Sequence, residues 1–148
     1  MSTSDLDDAV RALLLLMPRL IGRTKRLPVP AALSSLTLAP RHLSLLLFLL
    51  FDGPLTVNAL AARLEVAATT VSLMVGDLSR QGVVERIEDE ADRRRRIIRI
   101  ADAHREAVQE WLAGGAVAWQ RALGPLTPEQ RRMFVDTLRA YEAGVESR

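Results

Sequence analysis

The chain has 148 residues, 49% hydrophobic and 26% charged, ordinary globular proportions that exclude a disordered or fibrous polypeptide. That length admits one full domain, or a small lobe with an extension that pairs with a second copy, and the second arrangement is the expectation. A formal charge of only +2 gives no overall attraction for nucleic acid, and the absence of cysteine excludes disulfides, thiolate catalysis and thiol-based sensing.

The two histidines, His42 and His104, cannot build a histidine-rich metal site, so neither a metal nor another cofactor is expected. No positive segment precedes the first apolar run, which argues against a secretory signal. Leu13 to Met17 and Leu43 to Phe51 are each too short to span a bilayer. The expectation is a soluble, cytoplasmic protein with no membrane partner.

Ser4 is a candidate N-cap for a first helix, with Asp5, Asp7 and Asp8 where the helix dipole favours negative charge. Leu6, Val10, Leu13, Met17 and Leu20 recur at spacings of four, three, four and three, forming one apolar stripe that Leu14, Leu15 and Leu16 widen. That surplus points to contact on more than one side, as in a helix wedged against a partner subunit. Pro18 should kink or interrupt the helix near Leu14 to Met17, and Pro28 and Pro30 make residues 27–36 a loop or short turn.

A second helix runs from Pro40 to Phe51, apolar nearly all round and hence the centre of a lobe. Asp52, Gly53 and Pro54 end it. Thr56 can cap a third helix, residues 56–64, with Leu60, Ala61 and Leu64 inward. The fourth, residues 68–81, has Val71, Met74, Val75 and Leu78 inward, and Gly82 stops it. Thr69, Thr70, Ser72, Leu73, Gly76 and Arg80 are then outward or on the border. Two short helices this close together have helix-turn-helix spacing.

Residues 80–99 read as a β-hairpin. Val83-Val84 and Ile97 to Ile100 flank an acidic turn, and arginine fills five of the seven places from Arg93 to Arg99. A basic ribbon tip has the shape and charge for a nucleic-acid groove, and helix-turn-helix plus hairpin makes a winged helix. Beyond it, residues 103–123 form a fifth helix with Val108, Trp111, Leu112, Gly115, Trp119 and Leu123 along one side. Thr127, Pro128 and Gln130 provide a cap, an N1 proline and a capping-box partner for a sixth, Pro128 to about Val145. Phe134, Leu138, Tyr141 and Val145 have the spacing of a helical seam.

The order and spacing of Leu55-Thr56-Val57, Leu60-Ala61-Ala62-Arg63-Leu64, Thr70-Val71-Ser72, Leu78, Gly82-Val83-Val84-Glu85-Arg86 and Asp92-Arg93-Arg94 resemble the MarR family of winged-helix regulators across essentially the whole chain. The resemblance implies a single MarR-like domain over residues 1–148, with a DNA-binding lobe at 37–101 and a helical dimerisation region at 4–26 and 103–146. It implies a homodimer whose two lobes bind successive grooves of a pseudo-palindromic operator in double-stranded DNA. It also implies a small aromatic or phenolic effector that enters between the dimer helices and the lobe to release DNA. By position, Thr69, Thr70 and Ser72 fall where the recognition helix meets the major groove, with Thr56 and Leu73 grouped beside them. Arg94, flanked by Arg93 and Arg95, matches the wing arginine of the minor groove, and Asp92 the acid that positions it. Leu6, Val10, Leu13, Met17, Trp111, Trp119, Phe134, Leu138 and Tyr141 fall to the dimer interface. The chain departs from the family where Leu73 replaces a frequent arginine, Gly76-Asp77 an Asp-Arg pair, Arg96 an apolar strand residue and Glu65 a turn glycine.

The expected fold is therefore mainly α, a winged helix-turn-helix lobe with a two-stranded β-hairpin wing and helical dimerisation elements from both termini. The expected function is a transcriptional regulator, a repressor by family likeness. The alternative, motivated by Leu73, Gly76 and Asp77, is a winged-helix adaptor dimer with weak or no DNA binding. No Ser-His-Asp order, paired carboxylates or phosphate-cradling glycine loop is present, so catalysis is not expected.

Overall fold

The computed structural model describes residues 3–147, which fall into two compact units meeting between Leu112 and Ala113. The first contains α1 (Thr3–Thr24), α2 (Ala31–Ser34), α3 (Pro40–Asp52), α4 (Val57–Leu64), α5 (Ala68–Arg80), β1 (Val84–Glu88) and β2 (Arg96–Ile100). Helix α6 (Asp102–Leu123) begins there and ends in the second unit, which holds α7 (Pro128–Glu146).

The core of the first unit forms from side chains whose periodicity leaves no other face to bury. Leu45, Leu46 and Leu49 of α3 pack with Leu60 and Ala61 of α4, and with Val71, Met74, Val75 and Leu78 of α5. The wing closes this core with Val83, Val84, Ile98 and Ile100. It also takes Leu33 of α2 and Ala107 and Val108 of α6, so its packing reaches beyond residues 37–101 at both ends. Helix α3 is not buried all round: Phe51, at its C-terminal end, is 67% exposed. Strands β1 and β2 pair antiparallel with Val84 opposite Ile100 and Glu88 opposite Arg96. Leu55 exchanges hydrogen bonds of 3.1 and 2.7 Å with Ile98, placing the segment before α4 at the edge of this sheet.

Two expectations for α1 change. Ser4 lies inside the helix, not before it, and Pro18 leaves the helix uninterrupted. Proline's fixed φ is compatible with a helix, and the carbonyl that loses its partner belongs to the exposed Leu14, where it can turn to water.

Helix ends are secured by identifiable bonds. Thr56 Oγ1 accepts from Ala59 N at 3.1 Å, and Thr127 and Gln130 form a reciprocal capping box. Alanine at position 39 cannot cap α3, and its N–H donates instead to His42 Nδ1 at 3.0 Å. After α5, Val83 N donates to Leu78 O and Gly82 N to Ser79 O, a Schellman closure with Gly82 at φ +73°. Helix α4 ends with the same left-handed turn, but the residue at φ 56° is Glu65. An L-residue with a Cβ is strained there, and no local bond to the Glu65 side chain offsets it among the described residues. Glu65→Gly is expected to stabilise the protein by about 1 kcal/mol, read as a rise in the thermal midpoint.

Candidate nucleic-acid interface

The interface is built on α4 and α5, whose axes turn by 111° across a short linker, within the range of helix-turn-helix units. One side of α5 is locked into the core, with Val71, Val75 and Leu78 fully buried and Met74 nearly so. At about 100° per residue, the ridge opposite that face is Thr69, Leu73, Gly76 and Arg80. Ser72 is also exposed, Thr70 is half-buried on the border, and Thr56 is half-buried at the start of α4.

Asp77 looks adverse on a helix meant to meet phosphate, but its carboxylate is engaged from both sides. Arg80, one turn on, forms an ion pair with it. His42 Nε2 of α3 approaches it to 3.8 Å, too far for a hydrogen bond. Because His42 Nδ1 accepts the Ala39 N–H, the ring proton belongs on Nε2, which is buried without a hydrogen-bond partner. His42 thus has a backbone partner on its own helix's cap and lies close to the Asp77 carboxylate of α5. At the C-cap of α5, just beyond this pair, the Gln81 amide donates to Thr37 O and accepts from Thr37 N, at 3.1 and 2.9 Å. The sequence reading missed both links. Arg80 lies at helical spacing from Asp77 and was detectable, whereas neither His42 nor Thr37 is marked by local sequence.

In the wing, charges are sorted more than accumulated. Arg99 binds Glu85 through Nε and Nη2, both at 2.9 Å, and Arg96 reaches Glu88 at 3.0 Å. Both are cross-strand partners in register, so Arg96 gains in charge pairing what an apolar residue would gain by packing. Asp89 and Asp92 cap the turn, accepting from the N–H groups of Ala91 and Arg94 at 3.0 and 3.1 Å. The Asp92 carboxylate also lies 3.5 Å from Arg94 Nε, while the Arg94 side chain remains 93% exposed. Arg93 lines a surface hollow with Glu88, Asp89 and Glu90. Arg95 is exposed, and neither it nor Arg93 has an ion pair among the described residues.

A winged helix with this element order and an arginine-bearing turn now stands beside known proteins. Residues 35–95 match the model of the MarR family. Residues 35–95, which hold the helix-turn-helix and the wing turn, are therefore similar to the MarR family. No curated protein matches the sequence. Among solved structures, a MarR family protein from Bacillus stearothermophilus is similar over 99% of both chains at 21% identity, with a TM-score of 0.62. S. aureus MepR in its DNA-binding conformation is 19% identical over 89% of this chain and 98% of its own, with a TM-score of 0.61. The PcaV transcriptional regulator from Streptomyces coelicolor, in complex with its natural ligand, is 19% identical over 87% and 91%, with a TM-score of 0.57. At such identities these likenesses establish a shared fold.

Most of the residues expected at a dimer interface lie on two exposed faces, one on α1 and one on α7. Along α1, Leu6, Val10 and Leu13 are exposed and Met17 is half-buried. In the second unit, Phe134, Leu138 and Tyr141 lie exposed along α7, and the Trp119 ring meets that of Phe134 at 5.8 Å with a 54° tilt. Trp111 differs from these residues: it is half-buried against the core of its own lobe. Among the described residues, no single helix is long and apolar enough to cross a membrane.

Proposed function

We propose that the protein is a cytoplasmic, non-enzymatic transcriptional regulator that binds double-stranded DNA as a homodimer. Helix α5 enters a major groove, and the wing arginines reach the flanking minor groove. The observation that carries this reading is Arg94, almost fully exposed at the wing tip while Arg96 and Arg99 pair in register with Glu88 and Glu85. A guanidinium held out in this way suits the concentrated negative potential of a narrow minor groove. Repression of the target genes is the sign of regulation that the family favours. The apolar faces of α1 and α7 support a second copy as the dimer partner.

Selection of bound sequences from random duplexes tests this reading. It should enrich a pseudo-palindrome with half-sites one helical turn apart, roughly 10 bp, and binding should fall steeply with salt. Failure to retain the protein on random duplex DNA or heparin at low salt would favour the adaptor reading. Of the three residues behind that alternative, Asp77 loses weight because Arg80 pairs with its carboxylate. That PcaV was solved in complex with its natural ligand supports an effector here too, and the family resemblance makes a small aromatic or phenolic one the first to test. A thermal-shift panel of aromatic acids tests it, and stabilisation by none of them would count against that ligand class.

A further inference from the structure

We infer that Leu73 is a specificity-determining residue, selecting the half-site by packing on the C5-methyl group of a thymine. This inference rests on the DNA-binding reading and adds what the recognition helix reads. Leu73 is 72% exposed, the highest value for any large apolar side chain among the described residues. It stands in the middle of the outward ridge, one turn after Thr69 and one turn before Gly76. Its orientation is fixed because the opposite face of α5 is sealed into the core.

The neighbours of Leu73 limit what this helix can read. Ser72 is short, Gly76 has no side chain, and Arg80 at the far end is tied to Asp77. The centre of the ridge therefore has no arginine, lysine, asparagine or glutamine with which to grip guanine or adenine in the bidentate manner of most direct readout. A Cβ at Gly76 would meet only the Arg80 guanidinium, at 3.5 Å, so its lack of a side chain leaves room for a duplex to approach the backbone. A long apolar side chain centred in such a groove has one complementary base-edge feature, the methyl group that distinguishes thymine. Burying Leu73 there also removes it from water.

The experiment uses the full chain and the operator obtained by selection, with each thymine replaced in turn by deoxyuridine so that only the methyl group is lost. At one thymine per half-site, wild-type affinity should drop roughly fourfold, the worth of one buried methyl, whereas L73A should bind both duplexes equally. L73R, which restores a guanidinium, should select guanine near that position. If every deoxyuridine substitution affects wild type and L73A alike while operator binding remains intact, and L73R selects the wild-type sequence, the inference is overturned and the DNA-binding reading survives. If no sequence is enriched and no duplex is bound at low salt, both are overturned.

Discussion

Arg94→Ala should weaken operator binding by about 1–3 kcal/mol and reduce the dependence of log affinity on log salt by about one for each subunit of the dimer. The expectation follows from how the wing is assembled. The Asp92 carboxylate accepts the Arg94 N–H and lies near Nε, fixing the turn and limiting the directions the guanidinium can sample. Arg96 and Arg99 cannot substitute for it, since Glu88 and Glu85 hold them. Arg93→Ala should cost less than Arg94→Ala, because among the described residues no acid restrains the Arg93 side chain as Asp92 restrains that of Arg94. Stability is expected to stay within about 0.5 kcal/mol of wild type, as for surface changes that touch no packing. Titration of a labelled operator at several salt concentrations checks the binding expectations, and denaturant unfolding checks the stability. An Arg94→Ala protein that binds with unchanged affinity and salt slope would remove the wing from the mechanism.

What the sequence made legible divides along a physical line. Val71, Met74, Val75 and Leu78 are all buried as their spacing required, because a helix converts sequence period directly into one face. The hairpin, the Thr56 cap and the Thr127–Gln130 box were legible for the same reason: each is a contact within a few residues. Features that join distant segments were not. Nothing local connects Leu55 to Ile98, Thr37 to Gln81 or His42 to Asp77, and these contacts fix the wing and α5 against the rest of the lobe. Pro18 does not interrupt α1 because its effect depends on surroundings: the lost hydrogen bond falls on an exposed turn, where water can replace it. Trp111 carries the same stripe signal as Trp119, yet one packs on the lobe core and the other meets Phe134. Periodicity identifies which side of a helix is apolar and leaves open what covers it.

At the proposed interface the site residues were legible as a type more than as a mechanism. Outward threonine and serine near the start of α5 and arginines at the wing tip followed from phase and hairpin position. The pairing of Asp77 with Arg80 needed three dimensions, and it changes the reading of the helix. An acid that seemed to oppose DNA is neutralised beside the ridge, and the same pairing restrains Arg80, leaving Leu73 as the long unpaired side chain at its centre.

The double variant Leu13→Glu, Leu138→Glu should sediment with the mass of one chain and lose operator affinity by about 100- to 10,000-fold. Both side chains are already exposed in the single chain, at 54% and 42%, so neither change opens the chain's own core. Their cost falls on whatever covers α1 and α7, where a buried unpaired carboxylate is strongly unfavourable. Loss of the partner turns binding of two linked half-sites into binding of one, forfeiting the effective concentration that the second lobe gains from the first. A duplex bearing a single half-site separates this effect from damage to the lobe, since its weak binding should be nearly unchanged in the variant. Sedimentation and titration must agree: a variant that keeps the wild-type mass and operator affinity would show that the apolar faces of α1 and α7 do not hold two copies together. The double substitution is preferable to either alone because the two positions lie in different units, and one intact face could keep enough apolar contact to mask the loss of the other.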